Sequence, residues 1–168
     1  MPPIISIVGK SESGKTTLIE KLIPVLKRRG YRIGVIKHAF HEFEFDKPGK
    51  DSWRHRAAGA ETVLVAAPNS IVMVKNAQDE TLDDLEGYFR DMDLVLTEGF
   101  KHGSKPQIEI FRKERHQEPL SAGNSNLVAL VTNADIELNV PTFGLEDIVP
   151  LADLIEDKFL RINNRNSG

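Results

Sequence analysis

Residues 9–16 read Gly9-Lys10-Ser11-Glu12-Ser13-Gly14-Lys15-Thr16, and Thr17 follows them. Every fixed position of the phosphate-binding pattern G-x-x-x-x-G-K-[ST], the Walker A motif, is filled. The flanks give the pattern its meaning. The apolar run Ile4-Ile5-Ser6-Ile7-Val8 before it predicts a buried strand, and Leu18, Ile19, Leu22, Ile23, Val25 and Leu26 after it follow helical spacing. Strand, glycine loop and helix in that order let successive backbone N–H groups curl around phosphate oxygens at the positive end of a helix dipole. Lys15 is then the residue that reaches the β- and γ-phosphates, and the Thr16 hydroxyl the one that meets Mg²⁺. Gly9, Lys10, Ser11, Glu12, Ser13, Gly14, Lys15, Thr16 and Thr17 are the candidate nucleotide-binding residues. The bland reading of the same stretch is a glycine turn with no ligand.

Composition sets the outer limits. The 168 residues suffice for one domain with a sizeable core, expected over residues 1–162, with 163–168 as a frayed polar tail. With 40% hydrophobic residues, 28% charged residues and a formal net charge of −3, the chain lacks the basic excess of a nucleic-acid binder. There is no cysteine, which excludes disulfides and thiolate metal sites and agrees with a cytoplasmic setting. The expected chain has no signal peptide, and no apolar run approaches a membrane span.

Outward from the loop, a helix is expected from about Lys15 to Arg29, ended by Gly30 and kinked at Pro24. A strand over about Arg32 to Lys37 completes a right-handed βαβ unit. A long polar connection follows, with a Pro48-Gly49 turn and with Asp51 or Ser52 capping a short helix to about Ala58. Thr62–Ala66 and Ser70–Val74 read as strands around Ala67-Pro68-Asn69, a hairpin that would make the sheet mixed. A helix to about Arg90, a strand over 93–98, an alternating strand near an edge over Gln107–Phe111, a charged loop to Ser125 and a buried strand over Leu127–Thr132 come next. Pro150 stands near the start of a last helix. The fold class is α/β, a three-layer fold of the P-loop NTPase type, its sheet mostly parallel with an antiparallel edge or hairpin.

Other residues carry chemical signals with more than one reading. Glu98 ends a strand at the same sheet edge as the loop. It is a candidate Mg²⁺ ligand or a group that orients an attacking water; otherwise it only opens a turn with Gly99. Asp46 and Asp51 stand on the loop after the second strand, either completing the Mg²⁺ shell through water or serving as turn acid and helix cap. His38 and His41, with His102 and His116, suggest a Zn²⁺ or Ni²⁺ site or a polar pocket lining. Thr132-Asn133-Ala134-Asp135 partly matches the N-K-x-D guanine signature; Asp135 is the candidate guanine acceptor and Asn133 its neighbour, unless both only shape a turn. Lys10 either reaches into a partner's active site or stays solvated.

The phosphate loop, Lys37-His38 with His41 through Asp46-Lys47-Pro48-Gly49-Lys50-Asp51-Ser52, Ala58-Gly59-Ala60 and Thr97-Glu98-Gly99-Phe100-Lys101 together resemble MobB, the molybdopterin-guanine dinucleotide biosynthesis adapter family. The resemblance covers about residues 4 to 160. It implies a GTP-binding P-loop protein, a homodimer with weak GTP hydrolysis, that assists the guanylyltransferase MobA in molybdenum cofactor synthesis. GTP and Mg²⁺ are then the cofactors, held by the loop with Thr16, Glu98 and Asp51, and Glu98 and Asp51 are the catalytic candidates. Lys47, Lys50, Lys101 and Lys105 suit the phosphate of molybdopterin as a further ligand. Two alternatives stand beside it: a P-loop kinase of a small metabolite, and a metal-delivery GTPase using His38 and His41.

Overall fold

The computed structural model describes residues 1–39, 46–76, 81–120 and 123–161. In chain order the elements are β1 (Ile4–Val8), α1 (Lys15–Arg28), β2 (Ile33–Lys37), α2 (Asp51–Ala57), β3 (Thr62–Ala67), β4 (Ser70–Lys75), α3 (Leu82–Leu85), β5 (Leu94–Glu98), β6 (Gln107–Phe111), β7 (Leu127–Thr132), β8 (Thr142–Phe143) and α4 (Ile148–Ile155). They fall into two compact units, one made of Met1–His38 and Leu85–Gly168, the other of Ala39–Asp84.

The larger unit is built on a six-stranded sheet in the order β2-β5-β1-β6-β7-β8, with every pair parallel. Ile5, Ile7, Leu94, Leu96, Ile108, Ile110, Ala129 and Val131 form one face, as period-two alternation dictates, and pack with α1 and α4 into one core. Leu22 and Leu26 of α1 are fully buried there, each burial stabilising the fold by about 1.5–3 kcal/mol. Pro24 lies inside α1, on its exposed side, and the helix runs on to Arg28. Its end is a Schellman turn: Gly30, at φ 93°, donates to the Lys27 carbonyl, and Tyr31 donates to the Leu26 carbonyl.

β6 is an inner strand, not the edge strand that its alternation suggests. It lies between β1 and β7 with all five residues buried. Its polar residues are satisfied by loops rather than by water. The Gln107 side chain donates to the Lys101 carbonyl and accepts from Asn124, and Glu109 accepts from the Leu120 N–H. In β2, Gly34 is required by close packing. A Cβ there would come within 2.4 Å of the Phe89 ring and 3.2 Å of Met92.

The helix expected up to Arg90 is shorter. α3 spans four residues and gives way to a 3₁₀ turn over Glu86–Phe89, where Gly87 weakens helical continuity. In the smaller unit, Thr81 and Asp84 cap α3 reciprocally: the Thr81 N–H donates to the Asp84 carboxylate, and the Asp84 N–H to the Thr81 hydroxyl. Neither Asp51 nor Ser52 caps α2. Lys50 occupies that position with no side-chain cap, while the Ser52 hydroxyl donates to Asp46 at 2.9 Å. β3 and β4 do pair as a hairpin, but as a separate two-stranded sheet that leaves the six-stranded sheet purely parallel. Cross-strand pairs Leu64–Met73 and Val65–Val72 put apolar groups on both faces of this hairpin, and Leu64 and Ile71 are 55% and 69% exposed.

α1 and α4 are tied at their ends by charge as well as by packing. Arg29 meets Asp153 and Glu156, each at 2.6 Å, and the Tyr31 hydroxyl donates to Glu156 at 3.0 Å. The Arg29 hydrogen bond, followed by that of Tyr31, holds the Glu156 carboxyl below its ordinary value of 4.5. A carboxyl depressed in the folded state binds fewer protons than in the unfolded chain. Its stabilisation is therefore whole above 4.5 and is lost as pH falls through the folded value. Glu156→Gln is expected to flatten the acid side of a plot of unfolding temperature against pH; an acid side unchanged by this variant would show that the cluster contributes nothing.

Candidate functional site

β1 is central, so the chain leaving its carboxyl end is flanked by the carboxyl ends of β5 and β6. The loop that follows is the glycine stretch. Gly9 has φ 154° and Gly14 φ 102°, and a Cβ on Gly9 would stand 2.5 Å from the Ile110 carbonyl oxygen. Gly14 is the N-cap of α1, and its carbonyl accepts from the Leu18 N–H. Glu12, at φ 58°, takes the left-handed region without being glycine. Ser11, Glu12, Thr16 and Thr17 face solvent, Lys10 is half-buried, and Ser13 is fully buried beneath the loop.

Lys15 turns back over the loop. Its Nζ donates to the Gly9 carbonyl at 3.1 Å and to the Lys10 carbonyl at 2.9 Å. Burial lowers the pKa of this ammonium from its ordinary value; Glu98 opposes that shift, while Lys101 and Lys37 add to it. Lys15 therefore feels two further ammonium groups against one carboxylate, an arrangement that favours an added anion.

Glu98 is the last residue of β5, paired in register with Ile7 of β1 and Lys37 of β2. Both its oxygens are engaged. Oε1 accepts from the Thr16 hydroxyl at 2.9 Å, and Oε2 lies 3.7 Å from Lys37 Nζ. Two hard oxygen donors side by side at a phosphate loop suit Mg²⁺, which takes few protein oxygens beside phosphates and water. Past Glu98 the backbone is unusual. Phe100 has φ 55°, and its ring stacks on His38 with centroids 4.6 Å apart. The His38 N–H donates to the Glu98 carbonyl at 3.0 Å.

On the other side, the segment after β6 straps the loop. Arg115 pairs with Glu12 at 3.0 Å, and His116 Nε2 lies 2.9 Å from the Ser11 carbonyl oxygen. The same segment meets the end of β7, where the Lys113 N–H donates to Asn133 Oδ1 and Asn133 Nδ2 donates to Glu114 at 2.6 Å. Asn133 is thus a fastener of the strap. Thr132 turns its hydroxyl to the Ala134 N–H at 3.0 Å, which shapes the turn before Asp135. Asp135 lines a cavity of about 540 Å³ with Ile136, Leu138 and Thr142. A second cavity, about 760 Å³, lies between Lys10, the strap, Ala134 and Ile136.

Asp51 and Asp46 belong to the smaller unit, where Asp51 opens α2 beside Arg54 at 3.6 Å and Asp46 bonds Ser52. Of the four histidines considered as metal ligands, His38 and His116 are engaged as above, His102 stands in the turn after β5, and His41 lies outside the described residues. Among the described residues no group of three metal-ligating side chains is found. Sequence reasoning passed over Arg112 and Arg115 and met Lys37 only within the family resemblance. Their signal is topological: each stands at or just past the carboxyl end of a strand neighbouring the loop, or one strand further out.

Strand, glycine loop and helix at the centre of a parallel sheet, with an acid at the end of the adjacent strand, place the chain in the P-loop class of α/β proteins. Residues 4–133 match the family model described as molybdopterin guanine dinucleotide synthesis protein B, MobB. The molybdopterin-guanine dinucleotide biosynthesis adapter proteins of Haemophilus influenzae and Escherichia coli are 40% and 36% identical to the chain, each over 92% of it and over 88% and 92% of their own lengths. The crystal structure of Bacillus subtilis MobB superposes with a TM-score of 0.74 at 30% identity, covering 94% of this chain and 98% of that one. The chain belongs to the MobB family.

Proposed function

We propose that the chain binds GTP·Mg²⁺ at the phosphate loop and acts as an adapter in molybdopterin-guanine dinucleotide biosynthesis, assisting the guanylyltransferase MobA and hydrolysing GTP slowly. The observation that carries this reading is the Lys15 ammonium over the loop beside the Thr16–Glu98 pair. Residues 9–17 would hold the phosphates, and Thr16 and Glu98 would hold Mg²⁺. Bound Mg²⁺ would neutralise charge that develops on the phosphate oxygens. Asp135 takes the guanine edge as a double acceptor, with Asn133 holding the segment that carries it. Slow hydrolysis fits a site completed only when a partner supplies a further stabilising group. The adapter role follows the names of the relatives, since the reaction they serve consumes a guanine nucleotide. The setting is cytoplasmic, and the protein is a homodimer. The two-faced apolar hairpin β3–β4 supports the dimer, because a second copy is the one partner always present at matched concentration.

Calorimetric titration is expected to show GTP binding at least tenfold tighter than ATP in the presence of Mg²⁺. Lys15→Ala is expected to weaken GTP binding by about 100-fold, given a charge-assisted contact to two phosphates, and to abolish stimulation of the guanylyltransferase. Equal or inverted nucleotide preference would sink the guanine assignment. Glu98→Gln retains an acceptor for Thr16 but loses the charge, so its nucleotide binding is expected to need about tenfold more Mg²⁺; an unchanged Mg²⁺ requirement would remove Glu98 from the metal site. Light scattering on Ile71→Glu is expected to show monomer where the parent is dimeric, and a parent that is already monomeric refutes the dimer.

A further inference from the structure

We infer that Arg112 is a ligand of the nucleotide's phosphates, a cation supplied by the same chain from the end of β6. The inference rests on the nucleotide reading above and adds a residue to it from the strand opposite Glu98.

Three observations carry it. The first is position. Arg112 directly follows β6, which pairs with β1, so it stands at the sheet edge from which the phosphate loop leaves. The second is close approach. A Cβ built on Gly14 would lie 3.3 Å from Arg112 Nη2 and 3.5 Å from Nε, so the guanidinium lies against the Gly14 backbone. Glycine at this position, already required by φ 102°, is what lets the side chain come so near. The third is an unmet need. Arg112 Nε is buried and has no hydrogen-bond partner among the described residues, although the Glu114 carboxylate lies within its electrostatic reach.

The neighbours sharpen the contrast. Arg115 pairs with Glu12, His116 meets the Ser11 carbonyl, and Glu114 is bonded by Asn133. Arg115 and His116 are thus engaged by the loop, whereas among the described residues Arg112 Nε has no acceptor. A buried guanidinium N–H without an acceptor opposes folding. Such a cost persists where a ligand removes it, and the ligand that suits a guanidinium beside a helix N-terminus is an anion. Guanidinium and phosphate match in geometry, the planar fork meeting two oxygens at once. Lys15 approaches the phosphates from the loop's mouth, Thr16 and Glu98 from the β5 side, and Arg112 completes the set from the β6 side.

Stability and binding are then opposed at this residue. Removing the unpartnered donor relieves the ligand-free protein and weakens the complex. Calorimetry with GTP and GDP in Mg²⁺, over a range of NaCl, is applied to the full chain, Arg112→Gln and Arg112→Lys. Thermal unfolding of each is recorded without nucleotide. Arg112→Gln is expected to bind both nucleotides ten- to a hundredfold more weakly, with a shallower salt dependence. Its unfolding temperature without ligand is expected to equal or exceed that of the parent. Arg112→Lys is expected to regain part of the affinity. GTP affinity within twofold of the parent for Arg112→Gln overturns the inference while leaving the nucleotide reading intact. So does a fall in unfolding temperature for both variants with the salt dependence unchanged, the mark of a packing role. A parent that binds neither nucleotide ends the nucleotide reading, and the Arg112 inference with it.

Discussion

The parallel pairing of β1 with β5 on one side and β6 on the other governs everything functional in the larger unit. Three chain segments leave the sheet at one edge because the three strands run the same way. One becomes the glycine loop, one ends in Glu98, and one continues into Arg112 and the strap. Antiparallel pairing at either junction would send one of these to the far edge. The parallel arrangement requires burial on both faces, which is why β1, β5 and β6 are apolar or internally satisfied almost throughout.

Given that edge, electrostatics explains the detail. Helix dipole, loop amides, Lys15, Lys37 and Lys101 all make the site positive, and Glu98 is the carboxylate among them. Burial withdraws water from Lys15 alone of these lysines, since Lys37 and Lys101 face solvent. Lys15 accordingly turns to the carbonyls of Gly9 and Lys10, the nearest negative ends of dipoles. Thr16 and Glu98 bond each other. The side chains around the pocket are held in place by contacts that phosphate oxygens and a hard cation can take over, so little ordering remains for binding to impose.

Much of this was legible in the sequence, and the reasons are local. The phosphate loop, α1 and the Glu98 strand are encoded by a fixed motif and clean periodicities within a short span. β6 was misplaced because Gln107 and Glu109 mimic a solvent-facing pattern, and only distant loops, at Leu120 and Asn124, satisfy them. The β3–β4 hairpin was read, but not its separation from the main sheet, since alternating apolar residues do not name their partner. Arg112 looked like one charge among many in a polar stretch. Its meaning comes from a strand order that places residue 112 beside residue 14, and no short-range rule contains that order. Asn133 stood in the guanine signature by spacing, whereas its side chain fastens the strap. The family resemblance, drawn from Asp46–Ser52 and Thr97–Lys101 with the loop, reached further than periodicity could, and the MobB family match covers those residues.

The central claim is that residues 9–17 cradle the phosphates of one nucleotide. Its most direct test is a nuclear magnetic resonance titration of the ¹⁵N-labelled full chain with Mg²⁺ and a non-hydrolysable GTP analogue. The account predicts that the amide signals of Gly14, Lys15 and Thr16 move most and stop moving at one equivalent. Signals of these three residues that stay in place while the nucleotide binds elsewhere, or at no site, would contradict it.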